Sequence, residues 1–225
     1  MGTPTGLQQR QMTFSLDQAH LHGEWVAPEG AEGLVVFVHG SGSSRFSPRN
    51  RSVARYFNDL GLATLLFDLL TEAEQRVDEV SRAFRFDIPL LSQRLTEVID
   101  CLRRDAAAGE LAIGLFGAST GAAAALITAA ERPREIAAVV SRGGRSDLAG
   151  SALARVEAPT LLIVGAEDDT VLALNRQSSQ QLHCPQRLAV IPGATHLFEE
   201  PGKLLEVAEL AGDWFLEHLQ RRSVA

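Results

Sequence analysis

Lysine is almost missing. Of 21 basic residues in 225, only Lys203 is lysine and the rest are arginine. The arginines are scattered rather than gathered along one expected helix, and the formal net charge is -7. A chain that grips nucleic acid without sequence preference needs a basic face, so that class of partner is excluded. Cysteine is nearly as scarce. Cys101 and Cys184 cannot build a disulfide framework and form no Cys-x-x-Cys pair; Cys101 falls on an apolar helix face, as a small buried hydrophobe does. No set of His, Cys and Asp has metal-ligand spacing, so neither a metal nor another cofactor is expected. Long apolar runs are missing as well. The longest stretch, Ala122 to Ala130 with Thr128 inside it, is far below the roughly 18 to 20 residues that cross a bilayer. The first 12 residues lack the apolar core of a secretion signal, so a membrane-free, cytoplasmic protein is the expectation.

What is present is ordinary globular material. The apolar fraction of 45% and charged fraction of 22% exclude general disorder, and the length suits one large domain. Residues 1–12 read as a flexible N-terminal segment and 13–225 as a single domain, with no repeat or linker to divide it. Short apolar runs alternate with helical stretches, the pattern of a mostly parallel sheet with helices on both faces. The expected strands are Thr13 to Leu16 and Leu21 to Val26 as an antiparallel opening pair, then Leu34 to Val38, Ala63 to Asp68, Leu111 to Phe116, Ile136 to Val140, Thr160 to Val164 and Arg187 to Ile191. Helices are expected from Pro48 to Leu60, Ile88 to Arg104, Gly121 to Glu131 and Leu204 to Leu219. Leu70 to Phe86 is charged and shows no strand period; it reads as a solvated crossover with a short surface helix, or as a flap over the site.

Chemistry enters after the fifth expected strand, at Gly117-Ala118-Ser119-Thr120-Gly121. A G-x-S-x-G between a strand and a helix is a nucleophile motif: the sharp turn strains the serine backbone, leaves no room for bulk on either side and lifts the hydroxyl above the sheet. Of the six histidines, His196, in the loop after the last strand, has the best context for a general base. An orienting acid should follow the penultimate strand. Asp168, in the frame Gly165-x-x-Asp168-x-x-Val171, is the first choice, with Asp169 as fallback and Asp147 a distant third.

The order Ser119, Asp168, His196 at strand ends, with His39-Gly40-Ser41-Gly42-Ser43 after an earlier strand, resembles the α/β-hydrolase superfamily. The short chain without a cap is most similar to the dienelactone hydrolase family, over roughly Leu34 to Leu219. The resemblance implies an eight-stranded sheet with its second strand antiparallel. It also implies an oxyanion hole made by the backbone N–H groups of Ser41 and Thr120, and a structural role for His39. Dienelactone hydrolases proper use a cysteine nucleophile, so Ser119 points away from that lactone and toward small esters or thioesters. Some proteins of this resemblance are encoded with, or fused to, phosphoribosyltransferase domains; no segment of this chain reads as one.

The expected function is therefore a serine hydrolase acting through an acyl-enzyme on a small-molecule ester. Acyl transfer with the same triad, and a non-catalytic binding or accessory role on the same fold, are the alternatives. Four arginines lie near the expected catalytic loops: Arg45, Arg85, Arg142 and Arg145. All four read either as surface or loop-pinning residues, for example through a pair between Arg142 and Asp147, or, for Arg45 or Arg142, as a clamp for a substrate carboxylate or phosphate. The sequence assigns no oligomeric state.

Overall fold

In the computed structural model, which describes residues 6–219, the apolar runs become strands because helices cover both faces of the sheet they form. β1 (Gln8–Ser15), β2 (His20–Ala27), β3 (Gly33–Val38), β4 (Ala63–Phe67), β5 (Ala112–Ala118), β6 (Ile136–Arg142), β7 (Thr160–Gly165) and β8 (Gln186–Ile191) pair in the order β1-β2-β4-β3-β5-β6-β7-β8. β2 runs antiparallel to both β1 and β4, and every other pairing is parallel. Every residue of β3, β4, β5 and β7 is buried, which is why these strands are continuously apolar rather than alternating.

One correction concerns the start of the chain. The first strand begins at Gln8, not Thr13, because Gln8 to Met12 pair with Gly23 to Ala27. Its exposed polar residues face solvent at a sheet edge and hide the period that sequence reading relies on. Residues 8–12 are thus not a flexible segment, and residues 1–5 lie outside the described residues.

Six α-helices are described: α1 (Pro48–Asp59), α2 (Glu72–Ser81), α3 (Ile88–Arg104), α4 (Thr120–Glu131), α5 (Asp169–Ser179) and α6 (Lys203–His218), with a 3-10 segment at Ser146–Arg155. α1 starts where Ser47 accepts the Asn50 N–H and Pro48 takes the first turn, a pairing that satisfies one orphan donor and wastes none. α1 brings Phe57 onto Phe37 and Phe116 of the sheet at 5.8 Å, and α6 adds Phe215 against Phe57 at 5.6 Å. α3 and α4 cover the opposite face with Leu91, Leu95, Val98, Leu102 and Leu126. Each such fully buried side chain contributes about 1.5 to 3 kcal/mol.

The charged stretch between β4 and α3 is a fastened surface helix. Thr71 and Glu74 form a reciprocal cap at the start of α2, and Arg94 of α3 holds Glu74 by two bonds of 2.6 and 2.7 Å. Near the end of α2, buried Asp78 accepts the backbone N–H groups of Phe84 and Arg85 and the Arg85 Nε–H at 2.7 Å. Burial alone would raise the Asp78 carboxyl, but these donors and the Arg85 charge together hold it below the usual carboxylate range. Long side chains of opposite charge, read in sequence as solvated, are here the ties that fix the crossover.

Candidate active site

Parallel strands place all the loops that follow them at one edge of the sheet, and the chemistry collects there. Ser119 follows β5 with φ 51 and ψ -122, a strained conformation for a residue with a side chain. Its neighbours explain why the motif requires glycine. A Cβ on Gly117 would stand 2.5 Å from Ala122 Cα, and one on Gly121 only 2.2 Å from the carbonyl oxygen of Val38. The strain is fixed by three backbone bonds: Ser119 N–H to the Arg142 carbonyl, and the Ser119 carbonyl to the N–H groups of Ala122 and Arg145.

The residues named from sequence assemble around this turn. His196 Nδ1 lies 2.6 Å from Asp168 Oδ2, with Asp168 the more buried partner. The carboxylate accepts, so Nδ1 carries the proton and Nε2 is left unprotonated, able to accept one. His196 packs over Gly143, one peptide from the carbonyl that Ser119 binds. Asp168, not Asp169, faces the imidazole; Asp169 is exposed in the first turn of α5. Asp147 is turned away, held by Arg145 at 2.8 and 2.9 Å. The partner of Asp147 is thus Arg145 and not Arg142, since Arg145 is only two residues away and shares its loop. Ser119 Oγ makes no hydrogen bond among the described residues, and such contacts commonly tighten only when substrate binds.

The turn expected to hold an oxyanion shows what sequence could not. Gly40 backs directly onto Ser119, so the turn lies against that residue. The Thr120 N–H opens α4 and has no helical acceptor. The Ser41 N–H, however, donates to the Thr120 hydroxyl at 3.0 Å. The Ser41 hydroxyl donates to the Arg85 carbonyl at 3.2 Å and lies 3.1 Å from the Thr120 hydroxyl. One expected donor is therefore open and the other internally occupied, so a carbonyl oxygen must displace the Thr120 hydroxyl to use both. A hydroxyl of the turn after β3 and one of the first residue of α4 meet here only through tertiary packing.

His39 is buried beneath the turn. Its Nε2 accepts the Leu69 N–H at 3.0 Å, which leaves Nδ1 to donate to the Gly40 carbonyl at 3.0 Å. Burial lowers its pKa against the opposing pull of the Gly40 carbonyl and Asp68. An unfolded chain takes up this proton near pH 6.5 while the folded imidazole stays neutral. Stability is then present above that pH and is lost as pH falls toward the folded value. A urea midpoint that declines below about pH 6.5, with the decline reduced in His39→Gln, is the expected result; a slope unchanged by the substitution overturns this assignment.

The arginines divide sharply. Arg45 is spent on Asp68, which accepts both its backbone N–H at 2.7 Å and its guanidinium. It is a loop anchor, which corrects its reading as a free clamp: Asp68 ends the neighbouring strand and the sheet brings it alongside. Arg85 is spent on Asp78. Arg142 differs. It is 8% exposed, Nη1 is buried without a hydrogen-bond partner among the described residues, and its ring contact is Phe116 at 6.0 Å. Burial and the nearby Arg49 charge push its pKa down to about 10, which leaves it charged at neutral pH.

This sheet order and these strand-end side chains define an α/β hydrolase without a large cap. The chain belongs to the dienelactone hydrolase family, whose sequence pattern matches residues 22–218. The crystal structure of a dienelactone hydrolase from Anabaena variabilis superposes with a TM-score of 0.94 at 53% identity, covering 95% of this chain and 99% of that one. A Mycobacterium tuberculosis protein that carries the provisional name phosphoribosyl transferase is 54% identical over 197 residues, 88% of this chain. The chain spans only 44% of that relative's length. An esterase of Pyrococcus furiosus shares the fold, with a TM-score of 0.75 at 16% identity over 95% of this chain and 92% of its own. Among the described residues no helix is long and apolar enough to cross a membrane, and no group of three or more His, Cys, Asp or Glu is placed to hold a metal ion.

Proposed function

We propose that the protein is a serine hydrolase of small esters or thioesters, working through an acyl-enzyme. The observation that carries this is the 2.6 Å contact between His196 Nδ1 and Asp168 Oδ2 beside a serine held at φ 51. Asp168 fixes the imidazole in the tautomer whose Nε2 can accept a proton. Ser119 Oγ bonds to the carbonyl carbon as its proton passes to His196 Nε2, and the carbonyl electron pair moves to oxygen. That oxyanion meets the Thr120 N–H and, once the Thr120 hydroxyl yields, the Ser41 N–H. Collapse breaks the bond to the alkoxide, which leaves with the proton from His196. Water, deprotonated by the same nitrogen, then releases the acid and restores Ser119. Hydrolysis of p-nitrophenyl acetate together with labelling of Ser119 by a fluorophosphonate tests the proposal; absence of both rejects it. The phosphoribosyl name belongs to a chain of which this one spans 44%.

Arg142 supports a preference for anionic substrates. An unpaired guanidinium this deeply buried costs stability and is relieved only by an anion or ordered water. It lies on the His196 side of Ser119, where the departing alcohol must sit to receive its proton. Arg142→Met is expected to lower kcat/KM for an ester with a carboxylate in its alcohol half by about tenfold more than for the neutral ester, while raising the thermal midpoint. Equal losses on both esters would remove Arg142 from substrate recognition.

A further inference from the structure

A cavity of about 160 Å³ lies between the oxyanion turn and α2. Ser41 and Gly42 form its catalytic side, Leu70 and Leu91 contribute apolar surface, and Gln75 and Glu79 line it from α2. Its wall is mixed, with three leucines beside Ser41, Gln75 and Glu79, and a cavity of this volume admits roughly six heavy atoms, the size of a benzene ring. The α2 wall does not move freely, because Ser41 is bonded to Arg85, Arg85 to Asp78, and Glu74 to Arg94. The carboxylate of Asp78 is balanced by Arg85, whereas that of Glu79, exposed at the cavity's outer side, has no ion pair or hydrogen bond among the described residues.

The sheet order tells which half of an ester belongs there. Ser119 follows β5, and His196, which must reach the leaving oxygen, follows β8 on one side of it. The oxyanion turn follows β3, and Leu69 and Leu70 follow β4, on the other side. With the carbonyl oxygen at the Thr120 N–H and the alcohol toward His196, the acyl chain points across the oxyanion turn toward α2. We propose that this cavity is the acyl pocket, that it takes an uncharged acyl group of roughly six heavy atoms, and that Glu79 excludes acyl groups ending in a carboxylate. The assignment rests on the hydrolase reading and places any anionic group of the substrate in the alcohol half, toward Arg142.

The experiment holds the alcohol constant as p-nitrophenol and varies the acyl group. Wild-type kcat/KM is expected to rise at least about tenfold from acetyl to hexanoyl or benzoyl and to fall again at decanoyl. Hemisuccinyl should lie well below pentanoyl, its uncharged counterpart in length. Gln75→Trp, which fills the cavity from half-buried α2, should reduce the hexanoyl-to-acetyl ratio about tenfold. Leu70→Ala, which enlarges it, should move the optimum to longer chains. Glu79→Gln should raise the hemisuccinyl-to-pentanoyl ratio about fivefold, the effect of removing one partly solvated charge. If wild type labels at Ser119 and cleaves acetyl ester, but neither Gln75→Trp nor Leu70→Ala shifts the chain-length ratios, the acyl pocket is overturned alone. A hemisuccinyl ratio unmoved by Glu79→Gln overturns the part assigned to that carboxylate. No labelling and no turnover in wild type overturn the hydrolase reading and this one with it.

Discussion

Ser119→Ala is expected to lower kcat for ester hydrolysis by about a millionfold, the largest effect any single change should produce. The alanine has no oxygen to form the acyl-enzyme, and only the oxyanion donors and bound-substrate orientation remain, which by themselves supply a small residual rate. The fold should survive. Alanine carries the same Cβ as serine at the strained φ of 51, and Ser119 Oγ makes no hydrogen bond that would be lost. An unchanged thermal unfolding midpoint beside abolished turnover would therefore separate chemistry from stability. Turnover within tenfold of wild type would remove Ser119 from the mechanism.

Asp168→Asn comes next, at about ten thousandfold in kcat. Asparagine keeps the size and place of the side chain but presents an amide, whose N–H turned toward His196 would favour the tautomer with its proton on Nε2. The base is then protonated where it should accept. Because Asp168 is mostly buried and bonded to His196 Nδ1 at 2.6 Å, water cannot readily substitute for its carboxylate. Asp169→Asn is the paired control: Asp169 is exposed one residue further along, so its loss should leave kcat near the wild-type value. A larger effect at Asp169 than at Asp168 would reverse the assignment of the acid.

The legible part of this protein was the part written in short-range pattern. The buried strands announced themselves by continuous apolar runs, and Ser47-Pro48 marked the start of α1. The G-x-S-x-G turn marked Ser119 as the candidate nucleophile because its glycines answer to steric limits within a few residues. What stayed hidden had long-range causes. The first strand was trimmed because a polar edge strand resembles a solvated tail. α5 went unnoticed because its single buried face is short, with only Val171, Leu172, Asn175 and Ser178 inside. Arg45 and Arg142 looked alike in sequence; Asp68 took one and left the other bare.

The sequence alone determined the order of elements and marked a candidate serine, a candidate histidine and a choice of neighbouring acids, since each is set by local sterics and hydrophobic period. Tertiary structure alone decided which acid faces the imidazole and that the Ser41 N–H is occupied by the Thr120 hydroxyl. It also decided that one arginine of four keeps an unpaired buried charge, and that a charged crossover forms the wall of a cavity. These depend on which loops the sheet brings together at its edge. Hydrogen bonds and ion pairs act over a few ångströms in space, whatever the separation along the chain.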